Sequence, residues 1–178
     1  GYRKIGHLNN TNRLIIKVYV LAIFIIMHNT HNYYDICAMT QSPEKRLFEI
    51  ASAQQGYFTS RQAIAAGFRI NNHPYHVNQE HWIREHRGIY RLANFPNQPD
   101  DHYVLWSLWS CNRKGEPQGV YSFDTALSIY DVSDVMSAKL HMTVPKKFRR
   151  NSEIPAVLVL HREDLHEGDC RAMRGFRV

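Results

Sequence analysis

Start and stop signals alternate so closely between Ser42 and Leu92 that no long helix fits there, and this punctuation limits the segment to short helices and a short hairpin. Ser42-Pro43 puts a good N-cap before a proline at the first helical position, and Leu47, Phe48, Ile50 and Ala51 supply an apolar face that ends near Gln54 to Gly56. Thr59-Ser60-Arg61-Gln62 has the capping-box form, Thr at the cap and Gln three residues on. Ala63, Ile64 and Ala66 follow, and Gly67 stops the turn. Asn71 or Asn72 can cap a third segment through Tyr75, His76, Val77 and Gln79, with Pro74 tolerable only in its first turn. Two β-rich runs, Trp82 to His86 and Ile89 to Leu92, then flank Arg87-Gly88, where glycine can take positive φ.

Three short helices followed by a basic hairpin is the order of a winged helix-turn-helix, here over residues 39–98. In that fold the third helix enters the major groove and the hairpin wing reaches phosphate or the minor groove. Residues 69–91 carry four arginines, the amides of Asn71, Asn72, Asn78 and Gln79, and four histidines. Arginine pairs with guanine or phosphate, and Asn or Gln engages adenine. Arg69, Asn72, His76 and Gln79 are therefore expected at base edges, and Thr59, Arg61, Arg84, Arg87 and Arg91 at phosphate or on the wing. Winged helices also serve as protein-interaction scaffolds, so fold alone leaves that alternative open.

Charge follows the same division. The net +6 falls as four Lys/Arg against one Asp in residues 1–38, seven against four acids in 39–98, and eleven against eleven in 99–178. A polyanion contact is thus expected in the first half. Cys37, Cys111 and Cys170 are widely spaced and form no C-x-x-C pair, which argues against a disulfide framework and a zinc knuckle and for a reducing, cytoplasmic setting.

Residues 1–38 differ in kind. Ile, Asn, Tyr, Lys and Phe make up 19 of the 38, and Glu, Gln, Ser, Pro and Trp are absent. The enriched types share AT-rich codons, so the stretch reads as a non-native or disordered extension, beginning at Gly1, with the true start at Met39. An interfacial or signal-like segment and a structured N-terminus are the alternatives. The apolar run Leu14 to Met27, interrupted by Lys17, falls short of the roughly 20 residues that span a bilayer, so no membrane partner is expected.

Residues 99–178 read as a small α+β unit. Asp100 and Asp101 complement a helix dipole before Val104, Leu105, Trp106, Leu108 and Trp109. Gly115 to Gly119 is a loop, Ser122 can cap a helix containing Ala126, Leu127 and Ile129, and Asp131 to Asp134 is a polar link. Lys139 to Val144 and Ala156 to Leu160 read as strands around the basic loop Pro145 to Arg150, whose four cations suit a second phosphate contact, an acidic partner or plain solvation.

Gln55-Gly56-Tyr57-Phe58-Thr59-Ser60-Arg61-Gln62-Ala63, Trp82, Arg87-Gly88-Ile89-Tyr90-Arg91-Leu92 and Phe95-Pro96 together resemble the winged-helix region of AbiEi-type antitoxins of type IV toxin-antitoxin systems. Leu105-Trp106-Ser107, Gly119-Val120-Tyr121-Ser122, Thr125-Ala126-Leu127 and His141-Met142-Thr143-Val144-Pro145 extend the likeness, which covers about Met39 to Val178. It implies a bacterial cytoplasmic protein that binds repeats in its own promoter, represses its operon, and opposes a nucleotidyltransferase-like toxin without a stable complex. Two departures stand out: Pro74 interrupts the usual recognition-helix run, and Asn78-Gln79-Glu80-His81 replaces the small residue before the wing. The family pattern also continues past Val178, so the second domain is expected to be incomplete and repression to outlast full antitoxin activity. The alternatives are an interaction module opposing the toxin, with the winged helix as scaffold, and an inactive gene fragment.

Other chemistry finds little support. His73, His76, His81 and His86 invite a metal, yet a site wants three or four convergent ligands and two of these flank or enter the wing. Asp124, Asp131, Asp134, Glu163 and Asp164 form no carboxylate pair with a nearby lysine on a strand. Ser107, Ser110 and Ser122 lack a nucleophile elbow, Cys111 has no evident activating base, and no glycine loop cradles phosphate. No enzyme, metal or cofactor is expected.

Overall fold

The computed structural model describes residues 41–132 and 138–178, where helices and three small sheets make an α+β fold. The expectations placed on residues 1–38, Met39 and Asp134 lie outside the described residues.

Local signals account for the first elements. α1 spans Pro43–Ser52 and buries Leu47 and Ala51. A short strand, β1 (Tyr57–Thr59), leads directly into α2 (Ser60–Ala66), where the Thr59 side chain accepts from the Gln62 amide and the Gln62 side chain accepts from the Thr59 amide. Gly67 ends α2 with φ 109°, a left-handed conformation that glycine adopts without penalty. A 3₁₀ turn over Ile70–Asn72 precedes α3 (His73–Asn78), which has Pro74 in its first turn and no side-chain cap from Asn72. The expected hairpin is β2 (Trp82–His86) and β3 (Ile89–Leu92), joined across Gly88 at φ 74°.

β3 is the central strand, in the order β1-β3-β2, antiparallel throughout. Because side chains alternate between faces, the sheet is two-sided. Phe58, Tyr90 and Trp82 point to the helices, and Trp82 is their hub: ring centroids lie 5.0 Å from Phe58, 5.1 Å from Phe68, 5.2 Å from His73, 4.5 Å from His76 and 5.7 Å from Tyr90. Leu47, Ala51, Ala63 and Ala66 close this cluster.

Tyr57 and Ile89, on the opposite face, belong to a second core built on α4 (Asp101–Trp109). α4 buries Tyr103, Val104, Ser107, Leu108 and Trp109, residues spread around its circumference, as a helix enclosed by other elements does. Around it lie β4 (Val120–Tyr121), α5 (Phe123–Ile129), β5 (Leu140–Val144), β6 (Leu158–Arg162), a 3₁₀ turn at Glu167–Asp169, and the pair β7 (Ala172–Met173) and β8 (Phe176–Arg177). β4 pairs antiparallel with β5, and β5 parallel with β6. Buried Ser110 closes the loop after α4, donating to the Ser107 carbonyl at 2.7 Å and accepting from the Gln118 and Gly119 amides. Residues 43–178 cluster as one unit, in which the segments before and after residue 98 share the two-sided sheet.

Truncating the aromatic hub tests this arrangement. Trp82→Ala should cost about 3–5 kcal/mol in urea unfolding, whereas Phe48→Ala, at a side chain 55% exposed, should stay within about 0.5 kcal/mol.

Candidate functional site

The nine residues expected to touch nucleic acid divide into two groups. Arg69 stands immediately before the 3₁₀ turn in extended backbone, Asn72 sits at the start of α3, and Gln79 closes α3; all three are exposed. Arg84 lies exposed on edge strand β2, Arg87 is exposed in the turn beside Gly88, and Arg61 is exposed in the first turn of α2, against Gly115. Among the described residues, none of these four arginines makes an ion pair. Asn72 and Gln79 have side-chain amides free of cap bonds, so α3 offers hydrogen-bonding groups at both ends.

The other three are occupied within the fold. His76 is half-buried and stacks on Trp82 at 4.5 Å and 20°, with Phe68 edge-on at 5.1 Å, so its ring packs on the aromatic cluster. Arg91 is 9% exposed; its Nε donates to Glu85 Oε1 at 3.0 Å and its Nη1 to the Phe95 carbonyl at 3.2 Å. The physical reason is strand order: β3 is flanked on both sides, so Arg91 lies between Tyr57 and Ile83 and not on a free wing edge. Thr59 spends its hydroxyl on Gln62, accepting from its amide at 3.2 Å and donating to Oε1 at 3.1 Å, and caps α2.

Two residues beside the exposed polar set escaped sequence reasoning. Ile70 and Tyr75 are 60% and 58% exposed next to Asn72. Apolar side chains at helical spacing read as core, and only their exposure identifies them; an apolar surface beside amides is suited to a thymine methyl.

The histidines do not converge on a common centre among the described residues. His73 is 2% exposed beneath Trp82 and Tyr90, with Nε2 unpartnered; His81 lies 5.9 Å from His76, and His86 packs edge-on to Trp106 at 5.7 Å. Burial, and then the neighbouring His76, hold the His73 ring below the ordinary histidine value of 6.5, and burial followed by His81 does the same to His76. A separate pair, His141 and His161, meets nitrogen to nitrogen at 3.0 Å beneath Phe123. Among the described residues no group of three or more His, Cys, Asp or Glu converges as a metal site would. Burial pushes the Cys111 thiol up to about 11, so it is protonated at neutral pH and a poor nucleophile.

No protein-family model matches the chain, and no curated protein matches its sequence. No helix among the described residues is long and apolar enough to cross a membrane.

Two predictions separate the occupied residues from the exposed ones. Arg91→Ala, which leaves Glu85 without its cation, should lower unfolding free energy by about 1.5–3 kcal/mol, while Arg87→Ala should change it by less than about 0.5 kcal/mol. The second concerns pH. The folded state resists protonating His73 and His76, so below 6.5 the unfolded chain binds more protons. Their stabilising contribution is complete above that value and is lost as pH falls through it toward the lowered folded values. The urea midpoint should therefore drop between about pH 7.5 and about pH 5.5, and His73→Phe should flatten the drop.

Proposed function

We propose that residues 39–98 form a winged helix-turn-helix that binds promoter repeats of its own operon as an autorepressor, in the manner of the AbiEi-type antitoxins that the sequence resembles. In this reading residues 99–178 are the antitoxin-like part, opposing a nucleotidyltransferase-like toxin without a stable complex in the bacterial cytoplasm. The chain acts by binding and needs no cofactor.

One observation carries the reading. Arg69, Asn72 and Gln79 around α3, with Arg84 and Arg87 on the hairpin, are exposed, and these three arginines have no ion-pair partner among the described residues. Behind them lies the aromatic cluster, so the donors stand on a packed support. Side chains of these types on a third helix and wing suit base edges and phosphates respectively. With His76 and Arg91 in the core and Thr59 committed to its cap, base reading falls to Arg69, Asn72 and Gln79, and backbone contact to Arg61, Arg84 and Arg87.

A second reading has an observation of its own. Phe123, Leu127, Tyr130 and Val132 are 58%, 44%, 42% and 71% exposed along α5 and just beyond it, which suits a protein partner and would leave the N-terminal segment as scaffold.

A gel-shift titration of the chain's own promoter against scrambled duplex, at several salt concentrations, decides between them. Arg69→Ala or Asn72→Ala should cost about 1–3 kcal/mol at the cognate base only. Arg87→Ala should weaken all duplexes alike and lower the salt slope by about 1. Equal affinity for promoter and scrambled DNA refutes the specific repressor, and operon repression unchanged by the charge reversal Arg84→Glu with Arg87→Glu favours the interaction module.

A further inference from the structure

The hairpin turn faces the loop after α4 and the segment after Phe148 across an open cleft of ≈ 510 Å³. Arg87, Arg113, Arg149 and Arg150 line it together with Asn151 and Ser152, and no carboxylate does. Glu116 lies nearby, bonded to Asn112 Nδ2 at 2.8 Å, but it is not part of the lining.

Arg150 makes this more than a solvated basic patch. It is half-buried, with Nη1 donating to the Cys111 carbonyl at 2.8 Å and the guanidinium 5.2 Å from the Trp109 ring centre. Burial lowers its pKa from the ordinary arginine value, and among the described residues no acid reaches it. A desolvated cation without a counter-ion is costly, and one carbonyl and an aromatic face offset only part of that cost. The unspent donors of Arg150, with Arg87, Arg113 and Arg149 alongside, call for an anion with several acceptor oxygens.

We infer that this cleft holds the phosphate backbone of duplex DNA, on a stretch flanking the one read by α3 and the hairpin. The inference rests on the DNA-binding reading above and extends it to residues outside the proposed winged helix. Arg87 belongs to both surfaces, so a strand leaving the hairpin turn enters the cleft without a gap. The lining also favours a duplex over single-stranded RNA. Single strands are held by stacking bases on aromatic faces, whereas the one ring in this lining, His86, is packed against Trp106. Guanidinium, amide and hydroxyl groups are what phosphate oxygens take.

Anisotropy titrations of the full chain test it, using a minimal promoter duplex and one longer by about one helical turn, 10 bp, on each side. Wild type should bind the longer duplex more tightly and with a steeper salt slope. The double variant Arg113→Ala with Arg149→Ala, both exposed positions, should keep its affinity for the minimal duplex and its thermal midpoint. On the longer duplex its salt slope should fall by about 2, at about 0.9 for each phosphate no longer neutralised. Wild type and double variant with the same slope on the longer duplex overturn the cleft alone. A single-stranded RNA competitor that displaces the longer duplex more efficiently than duplex competitor overturns the duplex occupant. Wild type that binds neither duplex overturns the DNA reading and the cleft with it.

Discussion

The packing of His73 and His76 on Trp82 is the interaction on which the placement of α3 depends. α3 has six residues, begins with a proline in its first turn, and receives no side-chain cap. A helix that short is unstable by itself in water, because nucleation costs more than a single turn of hydrogen bonds returns. Its stability must come from packing, and here the packing is aromatic: His73 and His76 project from α3 onto Trp82, which Phe58, Phe68 and Tyr90 hold from other sides. With the histidines turned inward, Asn72, Tyr75 and Gln79 are left outward. The exposed chemistry of α3 is thus a consequence of the residues that anchor it.

The same logic runs through the three-stranded sheet. Its helix-facing side carries Phe58, Tyr90 and Trp82, and its other side carries Tyr57, Ile89 and Arg91, so a single strand, β3, contributes to two cores. Arg91 meets Glu85 at the margin of the second core, where loss of either partner strands a charge. Arg87, exposed at the turn, is the residue common to the α3 and hairpin surface and the arginine-lined cleft.

Much of the N-terminal half was legible because its signals are short-range hydrogen-bond chemistry. The Thr59–Gln62 box, the Gly67 stop and the Gly88 turn each act within a few residues, and all three stand where the sequence puts them. What escaped was non-local. β1 is three residues long and hidden against the cap of α2; only its pairing with β3 makes it a strand. Without β1, β3 reads as a free wing strand, and Arg91 then reads as a phosphate contact. The packing of His76 is hidden for a related reason: imidazole suits a groove or an aromatic core equally, and its stacking partner Trp82 lies six residues on. In the second half the strand expected at Ala156 to Leu160 lies at Leu158–Arg162, displaced by a turn in which the Leu158 amide donates to the Pro155 carbonyl. Arg113 and Arg150 are 37 residues apart in the chain, and no local pattern announces that they share a cleft.

We propose that the outward residues of α3 and the hairpin turn meet duplex DNA while the inward ones hold the fold. Amide chemical-shift mapping of the full chain, titrated with its promoter duplex, addresses this residue by residue. Shifts should concentrate at Arg69, Asn72, Gln79, Arg84 and Arg87, with Ala51 and Ala63 in the core unmoved. Shifts confined to α5, or none at saturating duplex, would contradict it.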